Sequence, residues 1–321
     1  MKNYIIMYMN QMNQKSKTIN NIDQMDIKDL YIFLWSKKLL ISFIILIFSI
    51  ASIFYAISLP NIYTSTAILA PTKGDSDSYS SLSSFGGIAS IAGINLPSAS
   101  TNNTDIAIKT LTSLKFFEES FLSKIDLEDL MAVESWDPAI NKIYYDNNLY
   151  DDKENNWVRE VSYPKKIKPS PQESHLVFMT EHLKMQRDQD NGFVTISIDH
   201  KSPYLAKDWL NIIIKEINKS LRDKQKQKSI LAVNYLEKQI IATNLSEIKQ
   251  GLSSLMQQEI EKLMLIESNE EYIFEIIDLP VVPELKSSPS RSLICIIGML
   301  LGLIIGVFSA LISPIFKNNK E

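Results

Sequence analysis

Cysteine is nearly missing from this 321-residue chain: Cys295 is the only one, so no disulfide framework can brace any part of it. Histidine is almost as scarce. The three present, His175, His182 and His200, show no metal-ligand spacing, and no metal site is assigned. A GxxxxGK[ST] phosphate cradle is absent as well, which excludes a P-loop nucleotide site. Two long stretches lack charge altogether, and a third, from Ser202-Pro203 to about Ser268, holds no further proline and one glycine, Gly251. Each of these gaps has a structural meaning.

The uncharged stretches are long and apolar. Residues 39–59, "LLISFIILIFSIASIFYAISL", and residues 292–316 meet or exceed the roughly 20 residues that carry a helix across a hydrocarbon core of about 30 Å. Backbone polar groups in lipid must be satisfied within their own segment, so both read as transmembrane helices. Residues 1–38 carry six Lys against three acids, and residues 317–321 carry Lys317 and Lys320 against Glu321. The intervening residues 60–291 carry 25 basic and 33 acidic side chains. Because cytoplasmic flanks are enriched in Lys and Arg, both termini are expected inside and residues 60–291 outside. Residues 1–25 contain no signal-peptide cleavage pattern and read as a disordered cytoplasmic tail. Residues 26–38, with Tyr31 and Trp35, read as a short interfacial helix.

The outer segment opens with "NIYTSTAILAP", a β-branched run that reads as a strand from Asn61 to Pro71. A Ser- and Gly-rich loop follows from Gly74 to Thr104. Its Asp75-Ser76-Asp77 has the letters of a sugar-nucleotide DxD site but falls on the side of the membrane without nucleotides, so no catalytic or cofactor-binding residue is assigned. Thr104 or Asp105 can cap a helix, and Asp137-Pro138 and Ser170-Pro171 mark two more helix starts. "HLKMQRDQDNGFVTISID" alternates across Asn191-Gly192, a β-hairpin signal.

Without a breaker, residues 203–268 read as one helix of roughly 100 Å. Leu236, Ile240, Leu245, Ile248, Leu252 and Leu255 recur along it at mainly three- and four-residue steps. One stripe is therefore apolar, and it needs helices from its own or neighbouring chains to cover it. The other expectation is a helical hairpin broken near Lys224-Gln225 or Gly251. "EYIFEIIDLP" then reads as a strand. Pro280, Pro283 and Pro289, ahead of Arg291, hold residues 278–291 extended near polyproline II, at about 3 Å per residue, as a stiff connector. Within the second span Gly298, Gly302, Gly306 and Ala310 place a small residue at every fourth position, a flat face for close helix packing. Ser49, Ser52 and Ala56 offer a similar face on the first span.

In this order these stretches resemble the bacterial polysaccharide co-polymerase, or chain-length determinant (Wzz), family. The residues that carry the likeness are "DLYIFLWSKKLLI", "IYTSTAILAP", "GGIASIAGI", "VTISIDHKSPYLAKDWLNIIIKEIN" and "IIDLPVVPELKSSPSR". The family's proline motif is more regularly spaced than it is here. The resemblance implies an α+β fold: two transmembrane helices flanking a periplasmic domain with a membrane-proximal α/β base and a long protruding helix. It further implies a homo-oligomeric ring in the bacterial inner membrane. That ring would be a non-enzymatic scaffold without a fused tyrosine-kinase domain, setting the chain length of a lipid-linked polysaccharide such as O-antigen beside a separate polymerase. Cofactors and nucleic acid have no place in that reading. An export adaptor working with a separate cytoplasmic kinase, or a two-span extracytoplasmic sensor, are the alternatives the residues leave open.

Overall fold

The computed structural model describes residues 32, 34–72 and 103–317. Expectations for the terminal tails, for most of the interfacial helix and for the Ser/Gly-rich loop with Asp75-Ser76-Asp77 lie outside the described residues. In chain order the principal elements are α1 (Lys38–Ser58), β1 (Tyr63–Pro71), α2 (Asn103–Leu111), α3 (Leu114–Phe116), α4 (Leu127–Met131), β2 (Val133–Asp137), β3 (Lys142–Tyr145), β4 (Tyr150–Asp151), β5 (Asn156–Trp157), α5 (Pro171–Val177), β6 (Leu183–Arg187), β7 (Val194–His200), α6 (Pro203–Ala242), α7 (Ser246–Ser268), β8 (Phe274–Asp278) and α8 (Arg291–Lys317). These are α+β elements in two units, one of residues 1–60 with 289–321 and one of residues 61–288.

The first unit pairs α1 with α8, both long and apolar enough to cross a membrane. Their large apolar side chains point outward: Leu39, Phe54, Leu293 and Phe308 are all exposed. That is the pattern of a helix solvated by lipid rather than by a protein core. At the start of α1 the Lys38 ammonium sits 5.1 Å above the Trp35 ring, a cation–π contact.

In the second unit a four-stranded antiparallel sheet has the order β6-β7-β1-β8. β1 is central, pairing with β7 from Tyr63↔His200 to Leu69↔Val194 and with β8 around a bulge at Ile68/Leu69. Alternation fixes which face is buried. Ala67, Leu69, Val194, Ile196 and Ile198 are fully enclosed, whereas Thr66 and Ser197 meet on the other face with their hydroxyls 3.0 Å apart. The base of α6 covers the apolar face with Ala206, Trp209, Leu210, Ile213, Ile214, Ile217 and Leu221, and α2 and the Phe116–Phe121 turn join the same core. Fully burying a Leu or Ile side chain contributes about 1.5–3 kcal/mol, so this layer dominates the unit's stability.

Two helix starts expected from sequence have different outcomes. Ser170 caps α5 by accepting the Glu173 N–H at 3.3 Å, with Pro171 in the first turn. Asp137 instead ends β2, and Asp137 Oδ1 accepts the Ala139 N–H in a tight turn back to β3. The same Asp-Pro chemistry serves an Asx turn as well as a helix cap.

The helix expected over 203–268 is divided. Thr243 and Leu245 are extended (φ −91°, ψ 130° and φ −86°, ψ 117°), and α7 folds back along α6, where Lys226 and Glu267 form an ion pair. The break lies at Thr243–Leu245, away from both Lys224-Gln225 and Gly251. β-Branched Thr243 and Asn244 favour non-helical backbone only weakly. What drives the reversal is burial, because folding there lays one half of the apolar stripe on the other.

Candidate functional site

Three features carry the residues singled out by sequence: the helical hairpin, the proline segment and the small-residue face of α8. In the hairpin, Leu236 and Ile240 of α6 and Leu252 and Leu255 of α7 are half-buried, on the sides of their helices where Ser229 and Ile266 are enclosed. Leu245, in the turn, and Ile248 are 65% and 50% exposed. The stripe thus finds most of its cover within its own chain, and a neighbouring chain is not required for it.

The proline segment is not the free extended rod expected from its composition. Beyond Asp278 the chain leaves the β1 ladder, where Pro280 and Pro283 have no N–H to offer, and rejoins it at the bridge Ile62↔Ser288. The Ile62 N–H donates to Ser288 O at 2.9 Å, and the Ser287 N–H donates to Ile62 O at 2.9 Å. Between these anchors Ser65 Oγ donates to Val281 O at 2.9 Å and Thr64 Oγ1 to Ser287 Oγ at 2.6 Å. The segment advances ten residues while β1 retreats six, from Ile68 to Ile62. Full polyproline extension would span about 31 Å against about 20 Å of strand. The excess bows outward at Leu285, which is 84% exposed. Hydrogen bonds from β1 overrule the stiffness of the prolines.

In the unit of the apolar helices, Gly298, Gly302 and Gly306 face α1. A Cβ on Gly298 would stand 2.3 Å from Ser52 Cβ, on Gly302 2.9 Å from Phe48 Cβ and 3.1 Å from Ile45 Cα, and on Gly306 3.2 Å from Ile41 Cγ2. Ala310, one turn further, is completely enclosed. Backbones approach this closely only where side chains are missing, and dispersion between them is what holds helices together in lipid. At the start of α8, Arg291 Nε donates to Ala56 O at 3.1 Å, capping the end of α1. Pro289 lies just before this helix, outside the β1 ladder.

Sequence reasoning missed a polar node in the core. His182 and His200 stack at 5.6 Å and both rings abut Trp209, at 5.3 and 4.7 Å. The Ser202 N–H donates to His200 Nδ1 at 2.9 Å, and His200 Nε2–H donates to Asp129 O at 3.0 Å. Both nitrogens are thus satisfied in the neutral ring. Burial pushes the His200 pKa down to about 3 and lowers that of His182, whose Nδ1–H donates to Asp199 O at 2.7 Å. Burial also raises the Asp129 carboxyl above the usual range, although Tyr145 OH donates to it at 2.7 Å. Beside this node Lys201 Nζ donates to Val133 O at 2.5 Å, and burial lowers its pKa. The third histidine, His175, packs on Phe117 with Nε2 3.2 Å from Thr112 O. Period-based reading sees such residues only as polar interruptions of an apolar face.

A second missed element is Arg159, 9% exposed, which makes a two-pronged pair with Glu173 at 2.7 and 2.8 Å and donates to Lys166 O and Ile167 O. Those hydrogen bonds from Arg159 hold the Glu173 carboxyl below its usual range. They tie the loop over residues 159–167 to the start of α5.

Residues 23–122, 100 of the 321, match the family model described as Wzz, chain length determinant protein. That segment contains α1 and β1. Among solved structures it is similar to a full-length bacterial polysaccharide co-polymerase, at 13% identity with 92% of this chain and 99% of that chain covered and a TM-score of 0.39. It is also similar to a fragment of WzzB, a polysaccharide co-polymerase from Salmonella Typhimurium, at 13% identity with 71% of this chain and all of that chain covered and a TM-score of 0.27. No curated protein matches it.

Proposed function

We propose that this protein is a non-enzymatic, oligomeric scaffold of the bacterial inner membrane that sets the chain length of a lipid-linked surface polysaccharide, such as O-antigen, with a separate polymerase as its partner. The observation that carries this reading is the match of residues 23–122 to the chain length determinant family in a chain whose two membrane-length apolar helices bracket a single folded unit. The non-catalytic reading is supported by the histidines, each of which is engaged in core packing and main-chain hydrogen bonds. The orientation, both termini cytoplasmic, is supported by the excess of Lys at residues 1–38 and of acids at residues 60–291. A reporter active only in the periplasm and fused after Lys201 is then active, and an inactive fusion refutes the orientation.

The deciding experiment is deletion of the gene followed by electrophoresis of the surface polysaccharide. Loss of a length-clustered ladder, with polymer still made, supports the proposal. Complete loss of polymer points to export, and an unchanged ladder removes the proposal.

A further inference from the structure

The folded unit is tied to the apolar helices by very little chain. Residues 59–62 are all that join α1 to β1, and residues 289–290 are all that join Ser288 to α8. Ile62 and Ser288 are themselves bridged, so both tethers start from one point. At no more than about 3.5 Å per residue, Tyr63 is within roughly 17 Å of chain from Ser58, whatever the angle between the two units. A membrane-spanning α1 of 21 residues fills a hydrocarbon core of about 30 Å. Residues 59–62 then enter the headgroup layer, roughly 5–8 Å deep on each side, and the start of β1 cannot leave its vicinity.

The residues gathered at Tyr63 suit that layer. Its ring meets Trp136 of β2 edge-on at 5.5 Å, and Trp136 lies 6.2 Å from Tyr204 in the first turn of α6. Tyr204 and, on β3, Tyr144 are 46% and 42% exposed. The turn from β2 to β3 carries Pro138, Ala139 and Ile140, all exposed, and Ile140 follows Trp136 by at most about 14 Å of chain. This turn is tied down. Asp137 Oδ1 accepts the Ala139 N–H, Asn141 takes a left-handed backbone at φ 50°, and the Trp136 Nε1–H donates to Asn141 Oδ1 at 2.8 Å. Turns in water are ordinarily made of polar residues and glycine, whereas here a fixed turn holds an apolar tip outward. Charge is not the reason, because Glu134 and Asp137 outnumber Lys142 in the hairpin.

We infer that the β2–β3 turn, residues 138–141, with Tyr144 and Tyr204 beside it, docks into the lipid headgroup region of the membrane that α1 and α8 span. The inference rests on the reading of those helices as membrane spans and is independent of any role in polysaccharide length. Tyrosine and tryptophan favour this depth because their rings are apolar at one end and hydrated at the other. Ile140 reaches the acyl boundary, and the Lys142 ammonium, 5.5 Å from the Tyr144 ring, stays among the phosphates. Burial of apolar surface drives the contact, so zwitterionic lipid suffices. The turn thereby gives the folded unit a third point on the membrane besides its two tethers.

The test reconstitutes the full chain, with Cys295→Ala, in phosphatidylcholine bilayers and places one spin label at Ile140→Cys or, as an exposed control in the α6–α7 turn, at Asn244→Cys. Collision rates with dissolved oxygen and with a water-soluble nickel chelate give the depth of each label. The oxygen-to-nickel ratio at 140 is expected to exceed that at 244 at least about threefold, as for a site about 5–10 Å into the boundary region, with or without added phosphatidylglycerol. A label at Tyr144→Cys is expected to show a raised ratio that falls to the control value when Ala139→Asp and Ile140→Asp are added, at unchanged helix content. Equal ratios at 140 and 244, a ratio that rises only with the anionic lipid, or a ratio at 144 indifferent to the two aspartates each overturns the proposal. So does a label at 140 shielded from both reagents, which assigns the tip to a protein partner. A label at Ile47→Cys in the middle of α1 separates the two levels of the argument. Nickel access there defeats the membrane reading and this proposal with it, whereas protection at 47 with access at 140 defeats the docking alone.

Discussion

Lowering the pH from 7 to 5 should destabilise the folded unit through His200. The neutral ring accepts from the Ser202 N–H and donates to Asp129 O, so a second proton on Nδ1 has nowhere to go without breaking the first of these bonds. Its folded pKa of about 3 lies below the ordinary 6.5. The unfolded chain therefore binds more protons throughout the interval, and stability falls as pH falls. The contribution is intact above pH 6.5 and erodes towards pH 3. At pH 5 the protonated unfolded ring is favoured by about 1.5 pH units, or about 2 kcal/mol, and His182 adds to this in the same direction. Asp129 works the other way, because its raised pKa gives back stability on protonation, and Glu173, with its lowered pKa, loses stability below the ordinary carboxylate range. Glu173 acts mainly below about pH 5, so within the interval from pH 7 to 5 the histidines lower the stability and Asp129 opposes them, and the His200→Gln variant separates the two. Urea unfolding of the full chain in detergent, followed by tryptophan fluorescence, should show the midpoint moving down, with a change of about 1 kcal/mol or more between pH 6 and pH 5. His200→Gln should flatten that slope. Stability constant to within about 0.5 kcal/mol from pH 7 to 5 would refute the reasoning, since a change of that size is below what one buried histidine must produce.

Three further outcomes follow from contacts already described. Gly302→Leu drives a branched side chain into Phe48 and Ile45 and should destabilise the pair of apolar helices by about 1–3 kcal/mol, read as a lowered melting temperature in detergent; an unchanged melt means the close approach is not needed. Leu252→Glu puts a charge into the half-buried seam and should weaken the hairpin by about 1–3 kcal/mol, with faster amide exchange over residues 246–268. Lys249→Glu, on the exposed side, should not, and equal exchange in the two variants rejects the seam. Arg159→Ala leaves Glu173, 17% exposed, with the half-exposed partner Lys165 at 3.6 Å, costing about 1–3 kcal/mol, and should open the loop to trypsin at Lys165 and Lys166; a loop as resistant as wild type would show that other contacts hold it.

Much of the fold is legible in one dimension because its signals are local. Charge-free runs bound the two apolar helices to within a residue or two, a β-branched run marks β1, alternation about Asn191-Gly192 marks β6 and β7, and Ser170-Pro171 announces α5. Where signals are local but ambiguous, reading fails: Asp137-Pro138 suits a turn as well as a cap. The proline segment fails differently. Its composition dictates a stiff extended chain, but its course is set by Ile62, Thr64 and Ser65, residues more than 200 positions away. The histidine node is non-local too. Asp129, His182, His200 and Trp209 meet only once the sheet and α6 have packed, and no spacing between them announces it.

The hairpin shows why a periodic pattern names a face but not its partner. Leu236, Ile240, Leu252 and Leu255 repeat at helical spacing whether the chain runs on for 66 residues or doubles back, because a reversal at Thr243–Leu245 inserts only a few extended residues and costs the period almost nothing. In the continuous helix that stripe demands other chains. In the hairpin it is consumed internally, residue 240 coming level with about 253 and residue 233 with about 260. The apolar side chains left exposed are then ones at other angles, Leu231, Tyr235 and Met264, which read along the sequence as scattered apolar noise. Only the reversal places them on the outer sides of one hairpin, so what the helices bury is decided in the turn as much as in the helices. A substitution that straightened the turn would expose the stripe and separate the two outer faces by tens of ångströms, changing both what the chain buries and what it presents.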